Sequence, residues 1–288
     1  MKEGINILRY SIVMFAYNEE NNIERSLSSI YENVDENLSQ VVVIANGCTD
    51  STVDILNKAS RDNLFPRLRV VEIQLGDKCN AWNEYVHNIS CDEDVHFFTD
   101  ADVQFTADAF NQMTQTLLDS KNATAIAGLP FSGRNMEVYR EMVTQQHLLF
   151  GNCYGLKNKF LQLVRDKNFY LPKGLGWIDS AITKIVKRDI EDIDLPIHER
   201  VTFNIDCGYF FAKLNYFKLA DIKLYINRIS RYSTGKLQQT HLEKISFLEW
   251  PRDLNEINQR ILRDIKSGTV KVNPLLKKRI IKRLKKKI

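Results

Sequence analysis

Hydrophobic positions in the first 130 residues follow two rhythms. Short runs rich in β-branched and aromatic residues occur at Tyr10 to Ala16, Val41 to Ala45, Leu68 to Ile73, Val95 to Thr99 and Ala123 to Ala127. Between them, apolar residues recur at helical spacing over Glu19 to Tyr31, Ser51 to Ala59 and Lys78 to Ile89. Runs of strand length separated by amphipathic helices predict βαβ units, and so an α/β fold with a mostly parallel sheet. Ligands of such sheets bind at the carboxyl ends of the strands. After residue 130 the rhythm loosens. Residues 137–164 read as helix, punctuated by Gly151 and Gly155, and Gly174 and Gly176 sit in a loop. Phe203 to Leu214 reads as a further strand, and Asp221 to Leu242 and Pro251 to Lys266 as helices.

Composition narrows the classes. The chain has 288 residues with ordinary globular proportions, 44% hydrophobic and 26% charged, which excludes a disordered or fibrous protein. No apolar run reaches the ~18 residues of a spanning helix, and no signal-peptide pattern opens the chain. A cytoplasmic protein is therefore expected. The five cysteines (Cys48, Cys79, Cys91, Cys153 and Cys207) form no C-x-x-C pair, which argues against a disulfide framework or structural zinc. The formal net charge of +4 is unevenly placed: residues 275–288 carry eight Lys and Arg and no acid. Leu276, Ile280, Leu284 and Ile288 recur there every four residues. That pattern predicts a basic amphipathic helix suited to an anionic membrane surface. Nucleic acid is not an expected partner.

Four short motifs fall at predicted strand ends. The run His96 to Asp100 ends in Asp100-Ala101-Asp102, two carboxylates whose hard oxygens suit Mg²⁺ or Mn²⁺ carrying a diphosphate. The first strand leads into Tyr17-Asn18-Glu19-Glu20, where Asn18 can cap the following helix and Tyr17 can stack on a base. The second leads into Asn46-Gly47, a turn whose Asn can both donate to and accept from a base edge. Lys78 follows the third and can meet a phosphate. Each motif also has a plain reading as a turn, a cap or a solvated charge.

The order Ala16-Tyr17-Asn18-Glu19-Glu20, Asn46-Gly47-Cys48-Thr49-Asp50, Lys78 with Asn83, and Asp100-Ala101-Asp102 resembles the inverting glycosyltransferase family 2 with its GT-A fold. The resemblance implies a GT-A-type, Rossmann-like mixed, mostly parallel sheet flanked by helices, with a C-terminal helical extension. It implies a nucleotide-sugar-binding half over 1–130, an acceptor-binding half over 131–250, and C-terminal helices with the basic tail over 251–288. It assigns Ala16, Tyr17, Glu19, Asn46, Lys78, Asp100 and Ala101 to a nucleoside diphosphate sugar, and Asp102, with Asp100, to a divalent metal. His241 would be a further metal ligand. Trp177, Arg228 and Arg231, in stretches similar to the family's acceptor-side motifs, would meet a glycan, lipid-linked or small-molecule acceptor; Gln238 lies in the same stretch. Asp179 would be the general base.

The sequence departs from the family in three places. Phe15 stands where Pro is common, Asn46 where Asp is common, and Ile178 where the first of two paired acids is common. The implied activity is inverting, metal-dependent sugar transfer to an acceptor hydroxyl, in cell-envelope or polysaccharide synthesis, by an enzyme peripheral on the inner face of the membrane. Two other readings of D-x-D are a haloacid dehalogenase-type phosphohydrolase and a non-catalytic membrane-associated scaffold. The first expects the motif near the N-terminus, and the second gives Asp102 no role.

Overall fold

The computed structural model describes residues 8–133, 135–192, 196–212, 217 and 219–286. In chain order, β1 (Tyr10–Ala16), α1 (Ile23–Tyr31), β2 (Leu38–Asn46), α2 (Thr52–Arg61), β3 (Leu68–Ile73) and α3 (Lys78–Glu84) come first. A π-helical turn, Tyr85–Ile89, extends α3 before β4 (Val95–Asp100), β5 (Val103–Phe105), α4 (Ala109–Asp119) and β6 (Ala125–Pro130). Then follow α5 (Met136–Gln146), β7 (Cys153–Lys157), α6 (Asn158–Asp166), α7 (Ile178–Lys187) and β8 (Val201–Phe211). The chain closes with α8 (Leu219–Leu242), α9 (Asn255–Ser267) and α10 (Pro274–Lys286).

Among the described residues eight strands form one mixed sheet in the order β3-β2-β1-β4-β7-β6-β8-β5. β3, β2, β1 and β4 run parallel, and β7 lies antiparallel between β4 and β6. β6 and β8 are parallel, and β5 pairs antiparallel with β8 at the edge. Strand alternation divides the core in two. Val13, Phe15, Val42, Ile44 and Phe98 face α3, α6 and α7. Ile12, Met14, Val41, Val43 and Phe97 face α1, α2 and α4. Covering both faces explains why the parallel strands read as continuous apolar runs.

Two strands differ from the sequence reading. Residues 137–164 are not one helical region: α5 ends at Gln146 and β7 occupies Cys153–Lys157. Cys153 to Leu156 are buried on both faces, so no alternation marks them as a strand. β5 spans only three residues, too few to show a period. Of the run Phe203 to Leu214, Leu214 lies outside the described residues; β8 starts two residues earlier, at Val201.

The basic tail forms α10, and its apolar stripe faces inward. Ile280 and Leu284 are buried with Ile261 and Ile265 of α9, and Leu237 of α8 packs against them. The expected basic helix is present, and part of its apolar stripe is packed on the protein's own helices. Ile288 lies outside the described residues. Among the described residues, no helix is long and apolar enough to cross a membrane. Leu284→Ala is expected to loosen α10 by about 2–5 kcal/mol, read as faster amide exchange in α8, α9 and α10 while the sheet stays protected.

Candidate active site

The carboxyl ends of β1, β2 and β4 open into a cleft of ≈ 420 Å³. Its floor begins with two loops that hydrogen bonds tie together. The Thr49 N–H donates to Asn18 Oδ1 at 2.8 Å, and the Glu19 N–H donates to Thr52 Oγ1 at 2.8 Å. The Ser51 N–H donates to Glu20 Oε2 at 3.0 Å. Asn18, at φ +56°, therefore clamps the neighbouring loop and does not cap α1, which starts after Asn22. Tyr17 stays 51% exposed at the strand tip, free to lie on a flat ring.

Gly47 turns the chain at φ +69°, and a Cβ there would lie 2.7 Å from the Gly76 backbone. This close approach brings Asn46 to Asp77, whose N–H donates to Asn46 Oδ1 at 3.0 Å. A backbone N–H can only donate, so the oxygen of the Asn46 amide is already engaged and its Nδ2 is the group left for a ligand. Asp77 joins the loops. Its Oδ1 accepts from the N–H groups of Cys79 and Asn80, capping α3, and its Oδ2 accepts from the Gly174 N–H at 2.9 Å. Asn83 pins the opposite loop through both the N–H and the carbonyl of Leu171.

The capped start of α3 delivers Lys78, whose Nζ pairs with Asp100 Oδ1 and lies 5.6 Å over the Phe15 ring. Asp179, in the first turn of α7, lies near the same ammonium. An ideal Cβ on Gly151 would sit 2.7 Å from Asp179 Oδ1 and 2.8 Å from Lys78 Nζ. Only a residue without a side chain leaves room for both. Asp179 Oδ1 is shielded and accepts no hydrogen bond. Burial raises the Asp179 pKa and Asp100 adds to the shift, against the attraction of Lys78 and Arg231.

Asp102 stands two residues beyond Asp100, across the turn between β4 and β5. Ser26 Oγ donates to the Ala101 carbonyl at 2.9 Å and holds that turn. Burial and the charge of Asp100 raise the Asp102 pKa, while Arg228 and Lys78 oppose the shift. Glu19 is pushed up to about 7 by burial, with Asp102, Asp100 and Asp50 adding to the shift against the Asn22 hydrogen bond. A cation among these acids would relieve their repulsion, so the residues fit a divalent metal. Among the described residues no three His, Cys, Asp or Glu side chains converge on one point. Asp102 and Asp100 would therefore supply part of a coordination shell and leave the rest to phosphate oxygens and water.

The far wall comes from the loop before α7 and from α8. Trp177, Arg228, Arg231 and Tyr232 line it, with Trp177 and Tyr232 rings 5.9 Å apart. Gln238 is buried and structural: its Oε1 accepts from the Gly176 N–H at 2.8 Å and its Nε2 donates to the Gly174 carbonyl at 3.0 Å.

The profile described as Glycosyl transferase family 2 matches residues 11–170. The chain belongs to glycosyltransferase family 2. Its fold is that of GT-A enzymes of known structure. A mannosyltransferase from Pyrobaculum calidifontis, solved with GDP-Man and Mn²⁺, aligns at a TM-score of 0.58 and 18% identity, over 96% of this chain and 68% of that one. S. aureus TarS aligns at 0.51 and 16% identity, over 77% of this chain and 39% of that one. Mycobacterium tuberculosis glucosyl-3-phosphoglycerate synthase, solved with Mn²⁺, UDP and glucosyl-3-phosphoglycerate, aligns at 0.50 and 17% identity, over 79% of this chain and 80% of that one. A search of curated protein sequences found no match.

Membership of the glycosyltransferase family removes the phosphohydrolase reading of Asp100-Ala101-Asp102. The structure gathers Ala16, Tyr17, Glu19, Asn46, Lys78, Asp100, Ala101, Asp102, Trp177, Asp179, Arg228 and Arg231 around one cleft. His241 is the exception. It lies seven residues beyond cleft-lining Thr234 on α8, about 10 Å along the axis, and its charged neighbours are Arg260, Asp264 and Lys244. The cleft does not include His241, which corrects its assignment as a metal ligand. Sequence reading missed Asp77, Gly151 and Arg283. Asp77 carried a signal, an Asp directly before a predicted helix. Gly151 had none, because its neighbours are distant in the chain.

The raised Glu19 pKa sets a testable slope. Between its ordinary value near 4.5 and about 7 the folded state holds a proton that the unfolded state has released, so stability falls as pH rises through this window. Glu19→Gln is expected to flatten that slope, measured as urea midpoints from pH 4.5 to 8 for both proteins.

Proposed function

We propose that this glycosyltransferase moves a sugar from a nucleoside diphosphate donor to an acceptor hydroxyl with inversion at the anomeric carbon, and that the transfer depends on a divalent metal. The observation that carries this reading is the placing of Asp179 on the cleft wall near Lys78 and Asp100. Tyr17 and Asn46 would hold the base, with Asn46 Nδ2 as a donor. Asp100 and Ala101 would meet the ribose, and Asp102 with Asp100 would hold Mn²⁺ or Mg²⁺. When bound, that ion would neutralise charge on the diphosphate oxygens. Neighbours solved with GDP-Man or UDP together with Mn²⁺ support the donor class.

Asp179 takes the proton of the acceptor hydroxyl, whose oxygen then bonds to the anomeric carbon on the face opposite the diphosphate. The bond from that carbon to the diphosphate oxygen breaks, and the nucleoside diphosphate leaves with the electron pair. A carboxylate whose pKa is raised by burial is a stronger base than a solvated one. The Lys78 charge opposes that rise. Arg228 opposes negative charge on the donor side, and Trp177 offers a flat face to a sugar. We place the enzyme in cell-envelope or polysaccharide synthesis, with α10 meeting an anionic membrane through charge alone.

Nucleotide sugars with Mn²⁺ would be screened by thermal shift and then assayed for transfer. Asp179→Asn is expected to lower transfer by about 10²–10⁴-fold with donor affinity retained. Asp102→Ala is expected to lose both transfer and the metal-dependent thermal shift. Full transfer by Asp179→Asn would reassign the base.

A further inference from the structure

The C-terminal helix reaches the cleft. Arg283 of α10 lines it beside Arg228 and Arg231. Its position is fixed by α8: Nε donates to Ser230 Oγ at 2.9 Å, and Nη2 donates to the Asn227 carbonyl at 3.1 Å. Arg279, one turn earlier, donates to Asn227 Oδ1 at 2.9 Å. The buried Ile280 and Leu284 hold the helix against α8 and α9. A half-buried guanidinium has thus been brought to an active-site wall by a helix outside the family match at residues 11–170.

Asp102 and Asp179 are acidic neighbours of this cluster, but neither forms an ion pair with it. Among the described residues the ion pairs are Lys78–Asp100, Lys167–Glu191, Lys184–Glu243 and Arg200–Asp189, and none includes Arg228, Arg231 or Arg283. Burial lowers the Arg283 pKa, and the charges of Arg231 and Arg279 lower it further. Guanidiniums that repel one another across an open cleft are relieved by an anion, and they match phosphate oxygens in geometry. The acids nearest to them differ. Arg228 acts on Asp102, on the donor side. Arg231 acts on Asp179, where the acceptor hydroxyl would lie, and Arg231 is the neighbour of Arg283.

We propose that Arg231 and Arg283 form an anion subsite for a phosphate group carried by the acceptor, so that the acceptor is a hydroxyl compound bearing a phosphate monoester or diester. This rests on the proposed donor site, whose diphosphate is already served by Lys78, Arg228 and the metal. The C-terminal helix is then a substrate-binding part of the enzyme.

The test uses inorganic phosphate as the probe, titrated calorimetrically with Mg²⁺ into the full chain. It is run nucleotide-free and again saturated with the nucleoside diphosphate identified by thermal shift. Phosphate is expected to bind both forms with similar affinity. Arg283→Gln should weaken phosphate at least tenfold while changing nucleoside diphosphate affinity less than twofold, with Arg283→Lys intermediate. Should Arg283→Gln lower the melting temperature, Arg231→Gln, on the exposed side of α8, gives the same reading. The proposal is overturned if bound nucleotide abolishes phosphate binding, because the arginines then hold the donor's own diphosphate. It is equally overturned if neither variant weakens phosphate, or if both ligands weaken together. Failure of every nucleoside diphosphate to bind would sink the donor reading instead, and the nucleotide-free titration would still decide the subsite.

Discussion

One ammonium group organises the active site. Lys78 pairs with Asp100 and lies beside Asp179, in a space that exists because residue 151 has no side chain. Two carboxylates brought this close in a shielded cleft would otherwise suppress each other's ionisation. The Lys78 cation opposes that effect at Asp179. Each partner arrives on a different element: Asp100 at the end of β4, Lys78 at the start of α3, Asp179 in the first turn of α7.

That convergence depends on polar side chains that never meet substrate in the proposed mechanism. Asp77 caps α3 and binds the Gly174 N–H, so the lysine and the loop before α7 move as one piece. Gln238 holds the same loop from α8. Such groups are costly when unpaired and rigidifying when satisfied. The Asn18–Thr49 clamp adds a further tie between the loops after β1 and β2.

The half proposed to hold the donor was legible in its strands and turns because its information is local. Each βα unit writes its strand, its turn and its helix consecutively, so Tyr17, Asn46, Lys78 and Asp102 could be placed at strand ends by counting. β7 was hidden because it is buried on both faces, and β5 because it is three residues long. The wall built by α8 and the loop before α7 was harder for another reason. Arg228, Arg231 and Asp179 were found through family likeness, whereas Arg283 sits in a run of basic residues that looks like surface charge. Only packing of Ile280 and Leu284 separates the inward arginine from the outward lysines. His241 shows the reverse error. A histidine on the right helix lies on the wrong turn.

The Asn46 amide has a consequence for how this protein could diverge. Its oxygen is committed to the Asp77 N–H, so the atom presented to the cleft is nitrogen. An aspartate at that position would keep the backbone bond and present oxygen in the same volume. The pocket edge would change from hydrogen-bond donor to acceptor with no change of shape. On the proposed reading, the hydrogen-bond polarity of the preferred nucleobase rests on one atom, and a single codon substitution separates two donor chemistries within one unchanged fold.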